Sequence, residues 1–409
     1  MSRQAAANGE SATLGSGGGP LEVFWAFLRL GCLSFGGPIA HIGYFRSEFV
    51  DRRRWLDDAE YADTMALCQF LPGPSSSQVV FALGMRRAGA FGAVAASLAF
   101  TLPSALLMIG FAYGVARAGA LSAPGFLHGL KLAAVAVVAQ AVWNMGRALW
   151  TDRARISLGL AAGAALIAVP SAVTQLAVIA CGGLAGYFLH RGAQPPPSVG
   201  AELEVPASRR LGATLLVVFG LLLSLLPLAA ASTGVRALQT FDAFYRSGSL
   251  VFGGGHVVLP LLRAELVPRG WLSDDQFLAG YGAAQALPGP LFTFAAYLGT
   301  AMATGPYRFL HGVLCLLALF LPGWLLVGGV LPYWHRLRAE GWARAALAGA
   351  NASVVGVLLS ALYQPVIRES VRGPLDAVIA LVAFGLLERG KLPPWLVVLG
   401  SAAAGRWLA

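Results

Sequence analysis

One stretch of this chain occurs twice, and the duplication limits the fold more than any other feature. The first copy reads Phe24-Trp25-Ala26-Phe27-Leu28-Arg29-Leu30-Gly31, continues through Ser34-Phe35-Gly36-Gly37-Pro38 and closes with Gln69-Phe70-Leu71-Pro72-Gly73-Pro74. The second reads Phe241-Asp242-Ala243-Phe244-Tyr245-Arg246-Ser247-Gly248, then Val251-Phe252-Gly253-Gly254-Gly255, and closes with Gln285-Ala286-Leu287-Pro288-Gly289-Pro290. Glu48 answers Glu265 in the same register, and Trp55 answers Trp271 after a one-residue deletion. Repetition over this length means two copies of one structural unit.

The solvent of that unit follows from composition. With 57% hydrophobic and 12% charged residues, the chain has too few charges to cover a soluble surface of its size. It reads as an all-α polytopic membrane protein. Residues 1–20, rich in Ala, Ser and Gly, are expected to be a disordered tail rather than a signal peptide. Apolar stretches follow near 24–45, 64–83, 91–115, 127–149, 156–170 and 172–189, making a first repeat over 21–190. A linker over 191–240 holds Gln194-Pro195-Pro196-Pro197 and one added helix, 211–231. The second repeat, 241–409, offers stretches near 241–262, 277–300, 309–333, 342–363, 374–387 and 393–408. About thirteen transmembrane spans are expected, several of them broken.

Six spans plus one place the second repeat upside down relative to the first, so the repeats are expected to be inverted. Loops on the N-terminal side carry more Lys and Arg than those opposite, which favours a cytoplasmic N-terminus. The segment holding Arg46, Arg52, Arg53 and Arg54 runs against that rule, because this span order puts it outside.

The breaks carry the functional reading. Gly36-Gly37 and Gly253-Gly254, like the two Pro-Gly-Pro turns, interrupt helices at membrane depth, where irregular backbone survives only inside protein or along a wet cavity. A helix that restarts there offers free N–H groups to an anion, as in the midplane sites of transporters with inverted repeats. The turn residues Pro72, Gly73, Pro74, Pro288, Gly289 and Pro290 are candidate site residues on this ground. Ser75 adds a hydroxyl after the first turn, whereas Leu291 follows the second. Gln69 and Gln285 stand three residues before their turns and either donate to an oxyanion or satisfy freed carbonyls.

Arg29 and Arg246 occupy matched positions inside spans. A buried membrane arginine is costly enough to face the bundle interior or a cavity, unless it snorkels to an interface. Both are expected to face one site near the repeat interface. Lys131 aligns with Asn351 and is a further candidate positive group on an anion path, although its place near a span start also suits snorkelling. Glu48 and Glu265 read as exposed ion pairs with neighbours such as Arg46 and Arg263. His41 and His256 read as packing or cavity-wall residues.

Other classes lack their signatures. Cys32, Cys68, Cys181 and Cys315 stand singly, which implies neither a disulfide frame nor a metal site. The chain holds no phosphate-binding G-x-x-x-x-G-K-[ST] loop and no dinucleotide fingerprint after a strand. No cofactor is expected. The formal charge of +10 is spread over short loops and suits the headgroups of a lipid bilayer; nucleic acid is not an expected partner.

Phe-x-x-Phe-x-Arg-x-Gly-x-x-x-Phe-Gly-Gly followed by Gln-x-x-Pro-Gly-Pro, present in both halves, resembles the chromate ion transporter superfamily in its long, two-domain bacterial form. The likeness is strongest over 24–115 and 241–333, and further includes Leu83-Gly84 with Leu298-Gly299 and Leu102-Pro103 with Leu321-Pro322. The resemblance implies a multi-pass protein of the bacterial inner membrane that exports chromate, driven by membrane potential or proton gradient, and confers chromate resistance. Some members of the family are linked to sulfate, also a tetrahedral dianion, so a sulfate or other oxyanion permease or channel is the alternative. A homodimer is a candidate assembly. A membrane-bound reductase would need a redox centre, and no motif for one is visible; the chain does not read as an enzyme.

Overall fold

The computed structural model describes residues 18–118, 124–189, 208–252, 255–338 and 340–408, which form helices and connections without a strand. The first repeat opens with α1 (Pro20–Leu33), started by a proline and an acidic first turn at Glu22. It stops before Gly36 and Gly37, whose φ angles of +99° and +75° lie in the left-handed region that favours glycine. The chain restarts as α2 (Gly37–Arg46) and runs on into a π-turn over Ser47–Arg52. These two pieces lie side by side. Arg53, beyond α2, pairs with Glu22 at the start of α1 at 3.7 Å, and the rings of Phe27 and Phe49 are 4.7 Å apart.

The same reversal occurs next. A capping box of Asp57 and Glu60 starts α3 (Asp58–Phe70), and Pro72-Gly73-Pro74 ends it. α4 (Ser75–Ala118) then runs back until Arg86 pairs with Glu60. A break at Ala88 and Gly89 redirects α4, whose second part crosses the whole bundle. The repeat is completed by α5 (Pro124–Leu149), α6 (Arg153–Ala168) and α7 (Ala172–Leu189), and α8 (Arg209–Thr233) links the halves.

The second repeat follows the same order with α9 (Arg236–Ser249), α10 (Val258–Leu266), α11 (Asp274–Ala284), α12 (Phe294–Met302) and α13 (Arg308–Val330). Then come α14 (Trp334–Leu337), α15 (Gly341–Ala361), α16 (Arg368–Ser370), α17 (Pro374–Glu388) and α18 (Pro394–Leu408). Here too α9 and α10 form a hairpin, since Arg236 at its start lies 4.0 Å over the ring of Trp271 at its end. A capping box of Ser273 and Gln276 starts α11, and Tyr297 of α12 donates to the Gln276 carbonyl at 3.0 Å. That closes the fourth hairpin.

The stretches near 24–45, 64–83, 241–262 and 277–300 are therefore not kinked spans. Their breaks turn the chain back instead of bending it, because flanking contacts hold the two arms together. Arg53 consequently lies beside Glu22, so the segment 52–54 sits at the end of the bundle where α1 begins. Among the described residues, five helices are long and apolar enough to cross a membrane: Ser75–Arg117, Gly125–Leu149, Arg209–Thr233, Gly305–Leu337 and Gly341–Ser370.

Two packing rules fix the bundle. Each hairpin's first helix lies on the proline-bearing helix of its own half, α1 on α4 and α9 on α13. The later helices are exchanged: α6 and α7 pack on α15, and α17 and α18 pack on α5. Small residues make these crossings close, as at Gly182 with Gly349 and Gly163 with Gly356.

A Cβ on Gly31 would stand 2.6 Å from the Phe100 carbonyl, and one on Gly248 would strike the Leu319 carbonyl at the equivalent place. Gly31→Val and Gly248→Val should each destabilise the protein by about 1–3 kcal/mol. Gly110→Val, whose Cβ meets open space, should not. The folded fraction of purified protein after graded heating, read by size exclusion, checks all three.

Candidate functional site

The four hairpin tips converge, and they do so crosswise. The Gly73 N–H donates to the Val251 carbonyl at 2.7 Å, and the Gly289 N–H donates to the Ser34 carbonyl at 2.9 Å. Gly73 and Gly289 are equivalent residues of the two repeats, as are Ser34 and Val251. Each Pro-Gly-Pro turn thus seats on the glycine break of the other half. Both turn glycines need their freedom, with φ of +126° and +87°. A Cβ would also meet the Gln78 side chain at 2.6 Å in one turn and Ser104 Oγ at 2.8 Å in the other.

Around the crossing, the side chains are polar and unevenly used. Gln78, fully buried, donates to the Pro72 carbonyl at 2.8 Å, and buried His41 places Nε2 3.1 Å from the Ser34 carbonyl. His256 Nδ1 and the Tyr281 hydroxyl are 2.7 Å apart. Among the described residues, Ser34 Oγ, Ser77 Oγ, Gln285 Nε2 and Trp324 Nε1 are potential donors buried without a partner. Trp324 follows Gly323, on which an added Cβ would stand 3.4 Å from Pro74 and 3.5 Å from the Gln78 side chain. Desolvated donors of this kind are costly unless a ligand or water accepts from them.

Placement of the expected site residues is mixed. Pro72, Gly73, Pro74, Ser75, Pro288, Gly289 and Pro290 sit at the crossing with Gly36 and Gly37, and Gln285 joins them. Gly253 and Gly254 lie outside the described residues. Gln69 is exposed, unlike its counterpart Gln285. Asn351 is half-buried with Oδ1 unpartnered, whereas Lys131 lies at the far end of the bundle, bonded to Asp275 at 2.6 Å.

The two arginines part company. Arg246 is held by Asp242 and Glu265, each at 2.8 Å, and Glu265 also holds Arg269 at 2.9 Å. Arg29 is exposed beside Trp25 and Leu33, with no partner among the described residues. They do not face one interior site. The reason is local: Trp25 stands where the second repeat has Asp242, and Glu48 is taken by Arg52 and Arg53. Neither glutamate forms the exposed pair expected of it; both are buried, while Arg46 turns to Asp51 and Asp58, and Arg263 to Asp274. Burial alone would raise the Glu48 carboxyl, but hydrogen bonds from Arg52 and Arg53 outweigh it and hold the group below its ordinary range. Asp242, four residues before Arg246, was a readable ion-pair signal; Trp324 carried none.

The family model described as chromate transporter matches residues 21–187 and 238–406, once on each repeat. The chain belongs to the chromate transporter family. It is 30% identical over 401 residues to a chromate transport protein of Pseudomonas aeruginosa, covering 95% of this chain and 92% of that one. A chromate transport protein of Cupriavidus metallidurans is 28% identical over 94% of this chain and 92% of its own. An uncharacterized transporter of Methanocaldococcus jannaschii is 25% identical, with 94% and 93% covered. No solved structure matches. The protein is a transporter rather than an enzyme.

Removing one carboxylate from the half-buried Arg246 cluster leaves charge uncompensated. Glu265→Ala should therefore destabilise by on the order of 2–3 kcal/mol. Arg29→Ala breaks no ion pair and should leave the melting temperature near wild type. Thermal unfolding of both variants in one detergent checks the contrast.

Proposed function

We propose that this protein exports chromate from the cytoplasm across the bacterial inner membrane, driven by membrane potential or a proton gradient, and so confers chromate resistance. The crossing of the hairpin tips carries this reading. The Gly36-Gly37 break, the chain at Val251 and two Pro-Gly-Pro turns meet beside hydroxyl, amide and indole donors that have no partner among the described residues. Such a site can replace the water around a tetrahedral dianion without holding it by full ion pairs, so release stays feasible. Arg29, about one and a half turns before Ser34, supplies the uncompensated positive charge.

The architecture we infer has inverted repeats over 21–190 and 241–409. The later part of α4, then α5, α6, α7 and α8, and in the second half α13, α15, α17 and α18, would cross the bilayer. The four hairpins would enter without crossing. Thirteen embedded units result, and the single extra crossing of α8 inverts the second set. Ion pairs support this arrangement. Asp63 meets Arg338 at the N-terminal end, while Lys131 meets Asp275 and His128 meets Asp376 at the other. A cytoplasmic N-terminus then gathers Arg46 to Arg54 on the positive side, as the orientation rule asks. The exposed apolar face of α8 suits lipid.

Energetics favour the outward direction. With the interior negative, each exported charge gains about 2.3 kcal/mol per 100 mV, so a dianion gains roughly twice that.

Two measurements test the proposal. Inverted vesicles should accumulate labelled chromate, with loss of uptake on collapsing the gradients and competition by sulfate; uptake confined to right-side-out vesicles would overturn export. Arg29→Ala should abolish chromate exclusion by cells at unchanged membrane protein, and Arg29→Lys should retain part of it, because ammonium lacks the planar fork of guanidinium. Wild-type exclusion by Arg29→Ala would remove Arg29 from the site.

A further inference from the structure

A second cluster of cations lies away from the crossing. At the end of the bundle opposite the N-terminus, α4, α5, α11, α12 and α13 enclose a cavity of about 590 Å³. Lys131, Arg308 and Arg372 line it, with His128, Asp275 and Tyr297. Three permanent cations therefore face one carboxylate, since His128 is engaged with Asp376 at 2.8 Å.

The pairing within the cavity is unequal. Lys131 is only 2% exposed, yet the side chain of its partner Asp275 is 63% exposed. A carboxylate so wet gains little from the pair, whereas a buried ammonium without an anion would be costly. Arg308 spends its donors on the Thr300 and Ala112 carbonyls at 3.1 and 3.4 Å, which orient the guanidinium without neutralising it. Arg372 is exposed and forms no ion pair among the described residues. The cavity thus holds surplus positive charge behind a carboxylate that can leave.

Position gives the surplus a use. α11 runs from this cavity to the Pro288-Gly289-Pro290 turn, about eleven residues of helix or roughly 17 Å. An anion in the cavity lies beyond contact with the crossing but at the outer end of the hairpin that forms half of it.

We propose that this cavity is a second anion site, a vestibule in which a small tetrahedral oxyanion binds Lys131, Arg308 and Arg372 and displaces Asp275 from Lys131. The substrate class rests on the transport reading above. The site raises the local concentration of the anion at this end of the path, and occupancy frees the start of α11 from α5.

Sulfate, which leaves thiols intact, is the probe. In full-length protein carrying Cys32→Ser and Cys181→Ser, the added Ala301→Cys lines the cavity. An anionic methanethiosulfonate should modify it about tenfold faster than a cationic one of equal size, by electrostatic focusing. Sulfate should slow the anionic reagent selectively, and Arg308→Gln with Arg372→Gln should abolish both effects. Asp275→Asn, a milder change that frees Lys131, should lower the sulfate concentration needed for protection, so a misfolded double variant does not end the test. Equal rates for the two reagents, or no protection by sulfate in the parent, would overturn the vestibule. Chromate uptake by the same protein in vesicles separates the two readings: uptake without protection removes this site alone, and protection without uptake removes the transport reading alone.

Discussion

Everything in this fold depends on two backbone hydrogen bonds between the repeats, one donated by each. A helix broken at membrane depth leaves N–H and C=O groups with no water to meet them, and each unmet group costs several kcal/mol. Gly73 and Gly289 solve the problem reciprocally, each donating to the break of the opposite half. That solution demands turns with positive φ, arms held antiparallel by Glu22 with Arg53 and Glu60 with Arg86, and tips that meet. The exchange of α6 and α7 onto α15, and of α17 and α18 onto α5, clasps the halves around the contact.

The duplication, the membrane class and the breaks at Gly36-Gly37 and the two Pro-Gly-Pro turns were legible in the chain, but the break at Ala88 and Gly89 was not. Whether a break bends a helix or reverses it was not, because glycine and proline specify only an interruption. The reversal is decided by partners such as Phe49 for Phe27 and Trp271 for Arg236, which no local pattern announces. Matched motifs also concealed unmatched chemistry. Arg29 and Arg246 share a register, but one residue four positions earlier, tryptophan or aspartate, decides which charge stays free. Lys131 and Asp275, 144 positions apart, lay beyond sequence reasoning altogether.

Two copies of one fold have therefore divided their work. The second repeat locks its arginine into a carboxylate cluster and follows its turn with Leu291 and Phe292, while the first leaves Arg29 unpaired and follows its turn with Ser75, Ser76 and Ser77. Unpartnered hydroxyls and the unpaired arginine thus come from the first repeat, and the amide of Gln285 and indole of Trp324 from the second. On the proposed transport reading, a charged solute at the crossing meets different chemistry from the two repeats.

The crossed tips also bear on the order in which the protein can be made. The ribosome delivers the first repeat, with α8, before any residue of the second exists. Until then the Gly73 N–H has no acceptor, the Ser34 carbonyl has only His41 beside it, and α5 lacks the helices that later cover it. The early half must be held wet or guarded within the insertion machinery, and its final shape is reached only when the late half arrives. Biogenesis of this chain is an assembly of two unfinished pieces that happen to be covalently joined.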